Sequence, residues 1–341
     1  MMRLPYFAFR APRTVREAAE LLAASPTDAM LVAGGTDLLP NMKRRQQVPS
    51  TLVSLRRVDE LRQVANGDGL AIGAGLTLSQ VVRDVRIHRS YRALWQAASS
   101  VATPHLRNMG TLGGNLCLDT RCNYYDQNYE WRKAIDFCLK KDGAICWVAT
   151  GSPKCLAVSS CDTAPALLAL GATVTLVSAE TTRQLPLGDF YRNDGIHYLT
   201  RRPEEILTTV KLPPLDGWRS AYWKLRRRGA FDFPVLSVAA AVKFSSDGTV
   251  EHARIVLGAV SSRPIDVAGA ASALVGASLT DDRIDQAARL ASIPAKPMDN
   301  TDFNLLWRKR VMRDFVTNAL REVRGDDMRE ARRKLSRNER L

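Results

Sequence analysis

All six cysteines of this 341-residue chain fall between Cys117 and Cys161. Thiols used only for packing would be scattered through core segments. A disulfide framework belongs to short secreted chains rather than to one of this length. The clustering therefore points to a metal or redox site. The spacing is Cys117-x4-Cys122-x15-Cys138-x7-Cys146-x8-Cys155-x5-Cys161. It contains no C-x-x-C pair, the clip of zinc ribbons and bacterial ferredoxins. Widely spaced thiolates can still hold an iron–sulfur cluster if one loop wraps around it. The segment between them carries Tyr124, Tyr125, Tyr129, Trp131, Phe137 and Trp147, side chains able to shield a cluster from water and tune its potential. On these residues alone, an iron–sulfur cluster, a zinc ion and unligated thiols all stay open.

Two glycine loops form the second chemical feature. They are Ala33-Gly34-Gly35-Thr36-Asp37 and Thr111-Leu112-Gly113-Gly114-Asn115. Paired glycines permit positive φ and let a ligand approach the backbone. Successive N–H groups then make an anion-binding concavity suited to a pyrophosphate. Arg107 and Asn108 precede the second loop and are candidates for further anion contacts. Neither loop is G-x-G-x-x-G, so the dinucleotide fingerprint is absent. Gly73-Ala74-Gly75 lacks the third glycine and reads as a turn. The histidines His88, His105, His197 and His252 form no motif and read as structural or surface residues.

Several elements must position these loops. A strand over 5–9 precedes a helix capped by Thr14. AMLV and TLVSL read as strands around a short helix or turn at DLLPNMKRR. A strand at LAIGAG, a helix from Leu78 to Val85 and a longer one from Tyr91 to Val101 follow. After the cysteine segment, APALLALGATVTLVS gives helix, glycine, strand. From about Arg202, EILTTVKL, AYWKLRRR, LSVAAAVKF and EHARIVLGAV read as antiparallel strands. Helical segments at 265–275, 280–292 and 303–324 close the chain. They suggest a separate C-terminal domain starting near Pro213–Trp218.

Composition narrows the class. Apolar residues make up 45% and charged residues 25%, ordinary globular usage, which excludes a disordered or collagen-like chain. No apolar run of about 18 residues predicts a membrane span, so no membrane insertion is expected. The N-terminus lacks the apolar core of a secretory signal, which makes the cytoplasm the expected compartment. Net charge is +14, and the stretch from Trp307 to Leu341 supplies +6 of it, with twelve Lys/Arg against six Asp/Glu. Beyond Gly325 this stretch reads as a solvated or partner-facing tail. Its interleaved acids and lack of aromatic partners argue against nucleic-acid binding.

Together these segments resemble the flavoprotein subunit of the xanthine dehydrogenase family of molybdenum hydroxylases. AGGTDLLP (33–40), RNMGTLGGN (107–115) and CDTAPALLALGA (161–172) look like its FAD-contacting motifs. EEILTTVKLP (204–213) and YWKLRRRGAFDFPVLSVAAA (222–241) look like its next two. The family passes quickly from the TLGGN loop to the DxxPALLAL helix. Here about 40 residues are inserted, similar to the insert in the flavoprotein (beta) subunit of 4-hydroxybenzoyl-CoA reductase.

The resemblance implies an α+β fold. A two-subdomain FAD-binding domain, of the vanillyl-alcohol-oxidase type, would precede an α+β C-terminal domain of antiparallel strands plus helices. The implied divisions are 1–57, 58–215 with the insert at 117–160, 216–325, and a basic tail at 326–341. It implies FAD held by Ala33, Gly34, Gly35, Thr36, Asp37, Leu38, Ala102, Thr111, Gly113, Gly114 and Asn115. Asp162 would lie toward the ribose and adenine, Leu207 on the flavin side, and Lys224 near the isoalloxazine ring. One [4Fe–4S] cluster would be ligated by Cys122, Cys138, Cys146 and Cys155, with Cys117 and Cys161 as small buried thiols. Asp232 would pair with one of Arg226–Arg228.

The partners so implied are a molybdenum-cofactor large subunit and a [2Fe–2S] small subunit, as an (αβγ)2 heterohexamer. A low-potential donor such as ferredoxin would supply electrons. The chain itself then carries no catalytic residue and serves as an electron-transfer subunit of an oxidoreductase. The insert favours reductive dehydroxylation of an aryl-CoA. The alternatives are an oxidative hydroxylase of aromatic or heterocyclic substrates, a zinc-bearing nucleic-acid binder and a standalone flavin oxidase.

Overall fold

The structure, a computed structural model, describes residues 3–337. Three sheets organise it. The first holds β1 (Ala8–Arg10), β2 (Ala29–Val32) and β3 (Thr51–Ser54) in the order β1-β3-β2, both pairs parallel. A parallel pair needs a crossover: the helix Val15–Ala23 leads from β1 to β2, and the helix Leu38–Lys43 lies in the connection between the paired β2 and β3. Thr14 caps that helix by accepting from the Glu17 N–H at 3.1 Å. Its buried residues Val15, Ala18, Ala19 and Leu22 follow helical spacing.

The second sheet is antiparallel, in the order β4-β5-β8-β6-β7. Its strands are β4 (Val64–Gly67), β5 (Gly69–Gly73), β6 (Thr173–Val177), β7 (Thr182–Pro186) and β8 (Ile206–Leu212). Gly69, at φ +91°, turns the β4–β5 hairpin where a Cβ would lie 1.9 Å from the Leu212 carbonyl oxygen. Strands β4 and β7 are unmarked in the sequence, because most of their residues are exposed and neither carries a buried apolar face.

The third sheet runs β12-β11-β10-β9, all antiparallel, from β9 (Trp218–Leu225), β10 (Leu236–Phe244), β11 (Val250–Gly258) and β12 (Ile265–Asp266). Both of its faces are buried. Tyr222, Ala239, Ala241 and Val256 pack into the core shared with the helices Arg92–Ser100 and Thr163–Ala169. Ala221, Trp223, Val238, Ala240 and Val242 point the other way, onto the C-terminal helices. The period-2 alternation of a strand explains why LSVAAAV is apolar at every position but one.

The C-terminal helices are Ala268–Ser272, Asp281–Ser292 and Leu305–Arg324, the last ended by Gly325 at φ +114°. Arg308 is fully buried in the long one and donates to the carbonyls of Val235, Met298 and Ala259 at 3.0, 2.9 and 2.8 Å. The stretch read as a tail behaves differently from that expectation. Arg329–Ser336 is a helix that packs on the C-terminal core through Ala331 and Leu335, together with Met328 at its N-cap. Arg332 fixes it there, bonded to Glu322 and stacked 4.4 Å over the Trp223 ring. The end of the tail, 338–341, lies outside the described residues. No described helix is long and apolar enough to cross a membrane.

Candidate cofactor sites

The chain leaves β2 at Val32 into the first glycine loop. Gly35 takes φ +69°, a left-handed turn that redirects the backbone into the helix Leu38–Lys43. Gly34 lies so close to the second loop that a Cβ would sit 2.0 Å from the Met109 carbonyl oxygen. In the second loop Thr111 accepts from the Gly114 N–H at 3.0 Å, and the Gly113 N–H donates to Ala74 at 2.8 Å. The two loops therefore rest on each other.

Between them and the second sheet lies a cavity of about 610 Å³, within the range of small-molecule sites. Every residue from Ala33 to Leu38 lines it, as do Ala102, Thr111, Gly113, Gly114, Asn115, Asp162 and Leu207. Among the described residues no acceptor takes up the N–H of Gly34, Gly35 or Thr36. Unpaired donors beside such a cavity suit an anionic ligand.

Other expected contacts go elsewhere. Arg107 turns to the Val101 carbonyl at 2.7 Å and Asn108 accepts from Ser79 at 2.6 Å, and neither lines the cavity. Lys224 also lies outside it, because its Nζ is drawn to Asp162 Oδ2 at 2.9 Å and to the Ser100 carbonyl. Burial lowers the Lys224 pKa while Asp162 opposes the shift. Asp162 stands at the start of the PALLAL helix but caps nothing with its side chain. It accepts instead from Tyr222 Oη at 2.7 Å and from Lys224. Asp37, expected at a pyrophosphate, forms an ion pair with Arg121 and accepts from Asn41 at 3.1 Å.

Phe231, Asp232 and Phe233 also line the cavity. The Phe231 N–H donates to the carbonyl of Ala102 at 3.1 Å, and both residues have positive φ, +75° and +44°. This contact joins the two domains at the cavity mouth. Asp232 pairs with Arg228, as expected from the sequence.

The cysteine segment builds a second, smaller pocket. Cys122, Cys138, Cys146 and Cys155 are all buried and all line it, with Tyr124, Tyr125, Leu139, Lys140, Trp147 and Val148. A tight turn holds Cys138, with Asp136, Phe137 and Asp142 at positive φ. Gly195 packs on Cys155, where a Cβ would sit 2.6 Å from Sγ. Burial pushes the Cys122 thiol up to about 12 and the Cys155 thiol up to about 11, the latter against a lowering pull from Lys140. Of the six aromatic residues, Tyr124, Tyr125 and Trp147 shield the pocket, while Tyr129 and Trp131 are exposed.

Among the described residues no three His, Cys, Asp or Glu side chains are drawn together as for a single metal ion. Cys122, Cys138, Cys146 and Cys155 nevertheless share one small pocket. Cys117 and Cys161 stand apart. Cys161 is buried beside Asn115, with its thiol pushed up to about 12 by burial, while Cys117 is only half-buried and lines the larger cavity.

The segment Asp119–Arg121 joins the two sites and was not singled out in the sequence. Arg121 pairs with Asp37 on one side and with Asp126 at 3.2 Å on the other, and lies 4.7 Å over Phe233. Asp126 in turn accepts from the Cys122 N–H at 3.2 Å. Asp126 is a near neighbour in sequence, whereas Asp37 and Phe233 are brought to Arg121 only by the fold.

Comparison with known proteins agrees with this architecture. Residues 5–215 match the FAD binding domain in molybdopterin dehydrogenase, and residues 220–323 match the CO dehydrogenase flavoprotein C-terminal domain. The chain therefore belongs to the FAD-binding subunits of the molybdopterin dehydrogenase family. It is 32% identical to the FAD-binding subunit PaoB of an Escherichia coli aldehyde oxidoreductase, over 92% of this chain and 98% of that one. It is 27% identical to the FAD-subunit of a nicotinate dehydrogenase from Eubacterium barkeri, over 94% and 98%. A carbon monoxide dehydrogenase structure from Hydrogenophaga pseudoflava superposes with a TM-score of 0.77 at 26% identity, covering 94% of this chain and 98% of that one.

Proposed function

We propose that this chain is the electron-transfer subunit of an oxidative molybdenum dehydrogenase. It would hold FAD in the glycine-loop cavity and one [4Fe–4S] cluster in the thiol pocket. The observation that carries the reading is the Asp119–Arg121 segment, which belongs at once to the cavity wall and to the support of Cys122. Two redox sites sharing a wall suit electron exchange between them.

The residues fit both groups. Unpaired N–H donors at Gly34, Gly35 and Thr36 suit a pyrophosphate, and Leu207 with Phe233 offers apolar surface to a ring system. Four buried thiols with no competing imidazole or carboxylate form a soft donor set suited to iron and sulfide. FAD supplies the step between two-electron and one-electron chemistry, and a cluster supplies one-electron exchange. The protein's part is to orient these groups and exclude water.

The insert alone favours a reductase. The relatives named above are an aldehyde oxidoreductase, a nicotinate dehydrogenase and a carbon monoxide dehydrogenase. Their names favour oxidation of substrate and electron flow outward through the flavin. The organic substrate would then bind a molybdenum-bearing partner subunit, with a [2Fe–2S] subunit between.

The complex purified from its native host should contain one FAD and about four irons on this chain. Cys146→Ser should abolish the cluster's low-temperature EPR signal and leave the FAD content intact, because the glycine loops lie outside the insert. Zinc in place of iron, or four irons persisting in that variant, would refute the assignment.

A further inference from the structure

Lys140 stands between the two cofactor sites. It lies between Cys138 and Cys146 in sequence and lines the thiol pocket. Its side chain is 6% exposed, and its three N–H groups are all used. They donate to Asp119 Oδ1 at 2.8 Å, Thr120 Oγ1 at 2.7 Å and the Gly195 carbonyl at 2.6 Å. Gly195 packs directly on Cys155, and its N–H donates to the Cys155 carbonyl at 2.9 Å. The ammonium also lies over the rings of Tyr125 and Tyr198, 4.8 and 5.5 Å from their centres. Its partner Asp119 is 7% exposed and lines the flavin cavity. One buried ion pair thus has its cation on the thiol pocket and its anion on the cavity.

Stability is a poor reason for such a pair, because desolvation offsets most of its attraction. Arg121, another buried cation nearby, is shared between Asp37 and Asp126. The axis of the Lys140–Asp119 pair spans from one site to the other.

We propose that this axis sets how electrons distribute between the two sites, with Lys140 as the residue that raises the electron affinity of the cluster. The inference rests on the four-thiol pocket holding a [4Fe–4S] cluster. An electron added there brings negative charge next to a buried ammonium, where low dielectric strengthens the attraction. Asp119 partly offsets this gain.

The signs follow. Lys140→Met leaves Asp119 unopposed, so the cluster potential falls. Asp119→Asn keeps the shape and frees the ammonium, so the potential rises. The double variant returns toward the wild-type value, and Lys140→Arg keeps the cation and moves the potential least.

The test is an EPR-monitored reductive titration of the cluster in the intact complex, with iron per chain measured in every sample. Each single variant should change the one-electron equilibrium at least tenfold, which is 59 mV, and in opposite directions. Potentials that stay put, or move the same way, with four irons retained overturn the inference alone. If Lys140→Met fails to fold or to load iron, Asp119→Asn and the double variant decide. The first must raise the potential and the second must cancel that rise, or the inference fails. A wild-type complex without four irons at these thiols overturns the cluster reading, and this inference with it.

Discussion

Gly34→Ala is the sharpest probe of how the two glycine loops meet. The added Cβ would lie 2.0 Å from the Met109 carbonyl oxygen, 2.5 Å from its carbon and 2.9 Å from the Gly110 Cα. All three are backbone atoms, so no rotamer change relieves the clash. Ordinary contact begins near 3.4 Å, so the loops must separate by about 1.4 Å. Overpacking of this kind costs about 1–3 kcal/mol, and a backbone-on-backbone clash belongs at the upper end. For a domain of about 200 residues, about 3 kcal/mol lowers the melting temperature by roughly 6–12 °C. The same separation pulls the N–H groups of Gly34 and Gly35 off a bound phosphate. Losing one hydrogen bond to a charged group, worth about 1.5–3 kcal/mol, weakens FAD binding roughly 10- to 100-fold. Differential scanning fluorimetry and flavin released on ultrafiltration measure the two effects. Gly67→Ala is the control, because nothing lies within 4 Å of its added Cβ. A Gly34→Ala protein that melts like wild type and keeps its FAD would show that the loops are not packed as described.

Gly114→Val separates binding from folding at the other loop. Its Cβ would meet only Thr111 Oγ1, at 3.0 Å, and the rest of the side chain would enter the cavity. The protein should fold and lose its flavin absorbance, and stoichiometric FAD in this variant would misplace the pyrophosphate. Asp84 gives a pH dependence: it caps the helix Val85–Ser90 through the N–H groups of Arg86 and Ile87, and its bond to the Arg86 side chain holds its pKa below 3.8. A carboxylate depressed in the folded state contributes stability above its unfolded pKa and loses it as pH falls through the folded value. Asp84→Ala should therefore cost about 1 kcal/mol at pH 7 and progressively less below pH 4, read from urea midpoints at both pH values. An equal loss at pH 7 and pH 2.5 would refute the account.

Residue types and local spacing carried much of this architecture. The Thr14 cap forms as its sequence implies, the paired glycines line one cavity, and four of the six cysteines line one pocket. What stayed hidden depends on partners far apart in sequence. Lys140 meets Asp119 and Gly195 across 21 and 55 positions. Arg121 reaches back to Asp37. Arg107 looked like an anion ligand because it adjoins the loop, yet its guanidinium is spent on Val101. Lys224 looked available until the fold buried it against Asp162. In the tail, Met328, Ala331 and Leu335 carry a helical stripe, but the surrounding arginines masked it.

The insert's attachment explains how one chain can carry both the glycine-loop cavity and the thiol pocket. Arg121 and Val158 form a short antiparallel bridge, donating to each other's carbonyls at 2.8 and 2.7 Å. This bridge closes the insert at its neck. Cys122 lies one residue past the neck, and Cys155 three residues before its return. On the other side of the same neck, Asp119 and Ser160 line the glycine-loop cavity. Two short stretches of chain, rather than the folding of the whole loop, therefore fix where the thiol pocket sits relative to the cavity. Closing a long loop costs little more than closing a short one. The family's domain can thus carry the insert without disturbing the glycine loops, provided the neck holds. The neck is held by Arg121, whose guanidinium also ties Asp37 to Asp126. Arg121 in this way both closes the insert and links its first cysteine, through Asp126, to the first glycine loop.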